Sequence, residues 1–147
     1  MAIEELGRGH AELRDLARGL HPVALGERGL RAAVESLAAT CAVRVEVDVT
    51  DAPLPDDVAL SAYFVVAESL ANAQKYARAA VLRVLAVVSD RELAVEVRDD
   101  GVGGADVGAG TGLCGLQDRI EALGGRLDVV SPAGGGTSVR AVVPLAR

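Results

Sequence analysis

Ile3, Leu6, His10, Leu13, Ala17 and Leu20 follow one another at alternating steps of three and four residues, the a/d spacing of a helical bundle. This pattern predicts an N-terminal helix that Pro22 stops. "ALGERG" predicts a break, after which Leu30, Val34, Leu37, Ala38 and Cys41 trace a second helix. In "VRVEVDVT" the four valines, Val43, Val45, Val47 and Val49, alternate with polar residues and predict a half-buried strand. "DAPLPDD" is a turn leading into a long helix from Asp57 to about Arg78, free of glycine and proline, with Leu60, Phe64, Ala67 and Ala71 as its apolar stripe. Residues 81–88 and 92–98 read as strands. Only "SDR" separates them, so they are expected to pair antiparallel. The glycine-dense "DGVGGADVGAG" has no apolar period and predicts a mobile loop from Gly101 to Gly110. A helix over 113–123, with Leu113, Leu116, Ile120 and Leu123 inward, ends at Gly124 and Gly125. "RLDVV" and "TSVRAVVPL" then give two last strands around the turn "SPAGGG", the second closed by Pro144. The expected class is α/β, a two-layer α+β sandwich. Its mixed, mostly antiparallel sheet has about five strands, with about three helices on one face and an N-terminal helix in addition. Residues 1–22 read as an appendage and 23–147 as the compact domain.

Composition narrows the function. A chain of 147 residues that is 50% hydrophobic suits one domain with a substantial core. Aromatic residues are only 2%, namely Tyr63, Phe64 and Tyr76, so Val, Leu and Ala must fill that core and base-stacking surfaces are scarce. The net charge of −6, with no Lys/Arg-rich run, argues against a nucleic-acid partner. Cys41 and Cys114 are far apart and lack neighbours at metal-ligand spacing, which points to reduced thiols and a cytoplasmic setting. The N-terminus lacks the pattern of a signal peptide. The longest apolar run, "AAVLRVLAVV", is too short to span a bilayer and carries Arg83, so a soluble chain without membrane contact is expected.

Candidate chemistry starts at "GTGLCGLQDRIEALGG", where Gly110, Gly112 and Gly115 satisfy G-x-G-x-x-G at the start of a helix. Unpaired N–H groups and the positive dipole end make such a terminus suited to phosphate. A dinucleotide fingerprint needs a strand feeding straight into the glycines and a parallel crossover. Here a hairpin and a loop precede them, and no Walker A sequence exists, the only lysine being Lys75. On the long helix, "ESLANAQKYA" sets Glu68 and Asn72 four residues apart, with Lys75 and Tyr76 one turn further. A carboxylate, an amide and an ammonium on one flank suit hydrated magnesium and a polyphosphate, although a solvated helix face has the same composition.

Taken together, these segments resemble the boxes of the Bergerat-type (GHKL) ATPases, the group that includes sensor histidine kinases. "ESLANAQKYA" is similar to the N-box. "DDGVGG" matches the first glycine box, D-x-G-x-G, through Asp99, Gly101 and Gly103. "GTGLCGL" matches the second through Gly110, Gly112 and Gly115, and "GGGTSVRAVVP" matches the closing segment through Gly136 and Thr137. "ELRDLARGLHPVAL" with "GLRAAVESLA" resembles the join between dimerisation helices and catalytic domain in the kinase subfamily paired with NarL-type response regulators. The resemblance implies an ATP-binding histidine protein kinase domain in which Asp99 accepts a hydrogen bond from the adenine amine and Thr137 supports the adenine site. Gly101 and Gly103 would let the backbone pass under the base. Gly110, Gly112 and Gly115, with Thr111 and Leu113 of the same box, would hold lid and phosphates. Asn72 would bind Mg2+, Glu68 would orient a magnesium-bound water or the attacking group, and Lys75 and Tyr76 would face phosphates or ribose.

The implied partners are the phosphoacceptor helices of a homodimeric parent kinase, residues 1–22 being a remnant of the second such helix, and a response regulator. The parent would be cytoplasmic here, with any membrane anchor upstream. One departure stands out. The family's acceptor histidine is usually followed by an acidic residue, whereas His10 precedes Ala11 and His21 precedes Pro22. The acceptor is therefore expected to be absent, and this chain alone is not expected to autophosphorylate. An anti-sigma-factor-type serine kinase and a nucleotide switch without phosphotransfer are the competing readings.

Overall fold

Residues 23–104 and 111–145 are described by the computed structural model; the side chains of residues 23, 24, 76, 77 and 111–114 fall outside that description. So do the expected helix over residues 1–22, with both histidines, and Gly110. In chain order the elements are α1 (Val23–Ala39), β1 (Arg44–Val49), α2 (Asp56–Asn72), which runs on into a π-helical turn (Ala73–Ala77), β2 (Val81–Ser89), β3 (Glu92–Asp99), α3 (Thr111–Ala122), β4 (Arg126–Val130) and β5 (Thr137–Pro144). The strands form one sheet in the order β1-β2-β3-β5-β4, parallel between β1 and β2 and antiparallel elsewhere. This is the mixed, mostly antiparallel α/β sandwich that the sequence predicts.

Period-two alternation builds the layers. Register aligns Val84, Val97, Val139 and Val129 in one inward row, and Ala86, Val95, Ala141 and Leu127 in the next. Most of these are buried, in one cluster with residues of all three helices. The row nearest the start of β2 is different: it consists of Leu82, Asp99 and Thr137. The apolar layer thus ends in two polar side chains on its helix-facing side. Between β2 and β3 the chain turns at Asp90 and Arg91, with φ of 51° and 61°. Left-handed values at both central residues give the primed turn whose twist matches the strands. The Leu145 N–H donates to the Arg91 carbonyl at 2.7 Å and fastens this turn to the end of β5.

The helices depart from expectation in four places. First, α1 starts at Val23, and the expected break survives only as Gly29, at φ 90° and ψ 179°, inside it. Second, the buried face of α2 is Val58, Ser61, Ala62, Val65, Val66, Ser69 and Leu70, whereas Leu60, Phe64 and Ala67 are only half-buried and Ala71 is exposed. Apolar residues surround this helix, so its periodicity allowed several faces, and contact with β3 and β5 selects the one rich in small residues. Third, the α-helix ends at Asn72 instead of continuing to Arg78; the π turn follows, and Arg78 at φ 54° closes it. Helix α3 begins at Thr111, two residues earlier than expected. It ends in a Schellman motif, with Gly125 N–H on the Ile120 carbonyl at 3.0 Å and Gly124 N–H on Glu121 at 2.9 Å.

Candidate functional site

The polar end of the inward row is organised by one carboxylate oxygen. Asp99 Oδ1 accepts the Gly101 N–H at 2.8 Å and the Thr137 N–H at 3.2 Å. Among the described residues Oδ2 has no hydrogen-bond partner. Thr137 Oγ1 in turn lies 2.6 Å from Ser131 Oγ. The glycine segment after Asp99 is fastened to the β4–β5 turn by Gly104 N–H to the Ser131 carbonyl (2.8 Å) and Gly134 N–H to the Val102 carbonyl (2.6 Å). Gly103, at φ 68°, lies so close to this turn that a Cβ would collide with the Pro132 carbonyl oxygen; one at Gly136, at φ 74°, would meet the Asp99 carbonyl. Residues 101–104 therefore do not form the free part of the loop that their composition predicts. The remaining residues of that expected loop, 105–110, lie outside the described residues.

Helix α2 delivers its polar residues to the same end of the sheet, because its C-terminal turn leads through Ala80 into the first residue of β2. Phe64, Glu68 and Asn72 follow at steps of four and share one flank of α2. Phe64 lies under the Arg119 guanidinium of α3, 4.8 Å from ring centroid, so this flank is the one turned towards α3. Glu68 and Asn72 are half-buried, and among the described residues neither side chain is taken up in a hydrogen bond or ion pair. Lys75 is exposed on the π turn, offset from the α-helical spacing assumed for it; the Tyr76 side chain lies outside the described residues.

Helix α3 completes the arrangement. Gly125, just beyond its C-terminus, packs against the Val142 carbonyl near the opposite end of the sheet, so α3 points its N-terminus towards the Asp99 end. Thr111, Gly112 and Leu113 open this helix, and Gly115 is exposed with open space around its Cα. An acceptor oxygen, an amide and carboxylate flank, and a helix N-terminus thus surround one end of the sandwich. Such an assembly can take a base that offers a donor, a polyphosphate and a cation between them. The structure joins both Gly101 and Thr137 to Asp99 and packs Gly103 against Pro132 and Gly136, while no hydrogen bond among the described residues joins them to Glu68 or Asn72.

Three residues in this region carry structure that sequence reasoning did not assign. Asp100 Oδ1 accepts the Ala80 and Val81 N–H groups at 2.8 and 3.1 Å. These bonds, Val81 first, hold its carboxyl below the usual carboxylate range. Gln74 accepts the Ala42 N–H at 3.0 Å and donates to Cys41 Sγ and the Leu70 carbonyl. Ser131 is the third. Their one sequence signal was position beside the boxes, which says nothing about partners up to 33 residues away. A separate cavity of about 330 Å³, lined by Leu25, Arg28, Arg31, Asp51 and Leu54 among others, lies where β1 ends, at the opposite end of the sheet.

The sequence matches the histidine kinase-, DNA gyrase B-, and HSP90-like ATPase family over residues 57–147. It is 31% identical over 144 residues to the oxygen sensor histidine kinase NreB of Staphylococcus carnosus, covering 91% of this chain and 42% of that protein. It is likewise 31% identical over 156 residues to the sensor histidine kinase NarS of Mycobacterium tuberculosis, covering 99% and 36%. The chain thus spans about two fifths of the length of these relatives. Among solved structures, the histidine kinase domain of the Erythrobacter litoralis EL346 blue-light activated histidine kinase superposes with a TM-score of 0.66 at 28% identity, over 84% of this chain and 60% of that one.

Proposed function

The chain belongs to the histidine kinase-, DNA gyrase B-, and HSP90-like ATPase family and carries the ATP-binding catalytic domain of sensor histidine kinases, and on that footing we propose that it binds Mg-ATP between α2, α3 and the glycine segments. It then donates the γ-phosphoryl group to a histidine on a dimerisation domain, for onward transfer to a response-regulator aspartate. The observation that carries this reading is the Asp99 carboxylate: two backbone N–H groups fix Oδ1, and among the described residues Oδ2 has no hydrogen-bond partner at the end of the inward row. Adenine offers a donor there through its exocyclic amine, whereas guanine offers a carbonyl oxygen that a carboxylate repels. The triphosphate then extends towards the N-terminus of α3, where unpaired N–H groups favour anions.

Magnesium fits the residues present. Among the described residues no group of three His, Cys, Asp or Glu side chains could hold a metal by itself, while Asn72 offers a neutral hard oxygen and Glu68 a carboxylate one turn away. That set suits an ion that keeps waters and takes other ligands from phosphate. Asn72 would hold the ion, whose charge would offset that of the phosphates, Glu68 would orient the attacking group, and Lys75 would face the phosphates or ribose. We assign residues 23–147 to the ATP-binding domain and residues 1–22 to the end of a dimerisation helix. The partners are then the phosphoacceptor helices of a homodimeric kinase and its response regulator. A cytoplasmic setting belongs to this proposal and rests on reading Cys41 and Cys114 as reduced thiols. Separately, no helix among the described residues is long and apolar enough to cross a membrane.

Calorimetry tests the site. Asp99→Asn keeps an oxygen for the two backbone N–H groups but turns a donor towards the adenine amine. It should weaken Mg-ATP binding by about 1.5–3 kcal/mol, the scale for a hydrogen bond to a charged group. Asn72→Ala should spare adenosine and remove the magnesium-dependent increment. Unchanged binding by Asp99→Asn would overturn the adenine assignment. With a separately supplied dimerisation domain bearing an acceptor histidine, labelled ATP should yield acid-labile, base-stable phosphohistidine on that domain; phosphoserine in its place would contradict histidine transfer.

A further inference from the structure

Ser131 stands between the glycine segment that follows Asp99 and the start of β5, and it reaches both. Its carbonyl accepts the Gly104 N–H at 2.8 Å, which seats the glycine segment that follows Asp99. Its hydroxyl lies 2.6 Å from Thr137 Oγ1, at the short end of the range for a hydroxyl pair. Thr137 then donates its backbone N–H to Asp99 Oδ1, and Asp99 Oδ1 accepts from Gly101. The bonds close a ring through four segments: the end of β3, the glycine segment, the end of β4 and the start of β5. Within this ring, backbone groups already fix where each segment runs. The Ser131 side chain adds what they cannot, a hydrogen-bond partner for the Thr137 hydroxyl.

We propose that Ser131 is a positioning residue for nucleotide recognition: it holds the Thr137 hydroxyl in the orientation that reads the Watson–Crick edge of adenine beside Asp99. The proposal rests on the adenine reading of Asp99. Adenine presents an amine donor next to the N1 acceptor, and hypoxanthine inverts both into a carbonyl acceptor next to an N1–H donor. Either hydroxyl of that pair can be the donor. With Ser131 donating, Thr137 keeps its own proton for N1 of adenine, and that is the arrangement the proposal requires, whereas without Ser131 the Thr137 hydroxyl rotates to suit either pattern.

The experiment compares Mg-ATP with Mg-inosine triphosphate by calorimetry, on the full chain and on Ser131→Ala, Ser131→Thr and Asp99→Asn. Wild type should prefer ATP. Ser131→Ala should weaken ATP by about 3- to 10-fold and inosine triphosphate by less than about 2-fold, so that the preference narrows. Ser131→Thr, which keeps the hydroxyl, should restore it. If Ser131→Ala does not fold, Ser131→Cys carries the same expectation, because sulfur is a weak hydrogen-bonding partner of similar size. Equal weakening of both nucleotides, an unchanged preference, or no rescue by Ser131→Thr would overturn the role of Ser131. If wild type prefers ATP and only Asp99→Asn removes the preference, Ser131 alone is excluded. If wild type shows no preference, the adenine reading fails and the proposal falls with it.

Discussion

Asp99 and Asp100 are neighbours with the same functional group and opposite assignments. Alternation along β3 turns Asp99 to the helix side of the sheet, where its carboxylate joins Gly101 and Thr137 through Oδ1, and Oδ2 has no hydrogen-bond partner among the described residues. Asp100, exposed, ties the start of β2 to the end of β3 through the Ala80 and Val81 N–H groups. Those bonds favour the ionised form, so its folded pKa lies below the unfolded value near 3.9. A depressed carboxylate stabilises the fold above its unfolded pKa, and that contribution is lost as pH falls through the folded pKa. The stability advantage of wild type over Asp100→Asn should therefore be level around neutral pH and shrink below about pH 4. Thermal unfolding across that range checks it; an advantage that holds or grows in acid would remove the electrostatic role.

At the scale of elements, the π turn after Asn72 is where α2 meets the α1–β1 corner. Gln74 satisfies the Leu70 carbonyl with its own side chain and spans to Cys41 and Ala42 beyond α1. Those bonds place the last turn of α2 against α1 while the chain departs from α-helical spacing, a form of local distortion frequent at functional sites. They are partly exposed, so water replaces some of their worth. Gln74→Ala should cost about 0.5–1.5 kcal/mol in urea unfolding. It should also raise amide exchange over residues 73–78. Exchange that stays level there would mean that the turn is held by packing alone.

For the molecule as a whole, the sheet has one covered face and one open face. Leu82 is 0% exposed and lies beneath the helices, whereas Leu85, three residues on along β2, is 39% exposed on the other side. The open face is laced with ion pairs such as Arg83 to Glu46 at 2.9 Å and Arg98 to Glu96 at 3.4 Å, which solvent screens to small values. Leu82→Ala should thus cost about 2–5 kcal/mol through lost transfer energy and the cavity left behind. Leu85→Ala should stay within about 1 kcal/mol, as partly exposed positions do. Denaturant titration of the two variants compares them directly, and similar losses would mean that the open face is covered in solution.

The amino-acid sequence by itself determined the elements that short-range pattern can encode. These are the β2–β3 hairpin with its short gap, the alternating valines of β1, the glycine stop of α3, and the order of boxes around Asn72, Asp99, Gly112 and Thr137. Each depends on residues within a turn or a strand of one another, or on a motif with fixed offsets. Tertiary structure alone decided which side of α2 is buried, because apolar residues surround that helix and only the sheet beneath it selects Ser61, Val65 and Ser69 over Leu60, Phe64 and Ala67. It also decided that Gly101–Gly104 is fastened to the β4–β5 turn, and it gave Ser131, Asp100 and Gln74 their partners. Apart from Gln74 to Leu70, those contacts join residues 6 to 33 positions apart, and their register follows from strand pairing across the whole sheet, which no local period specifies.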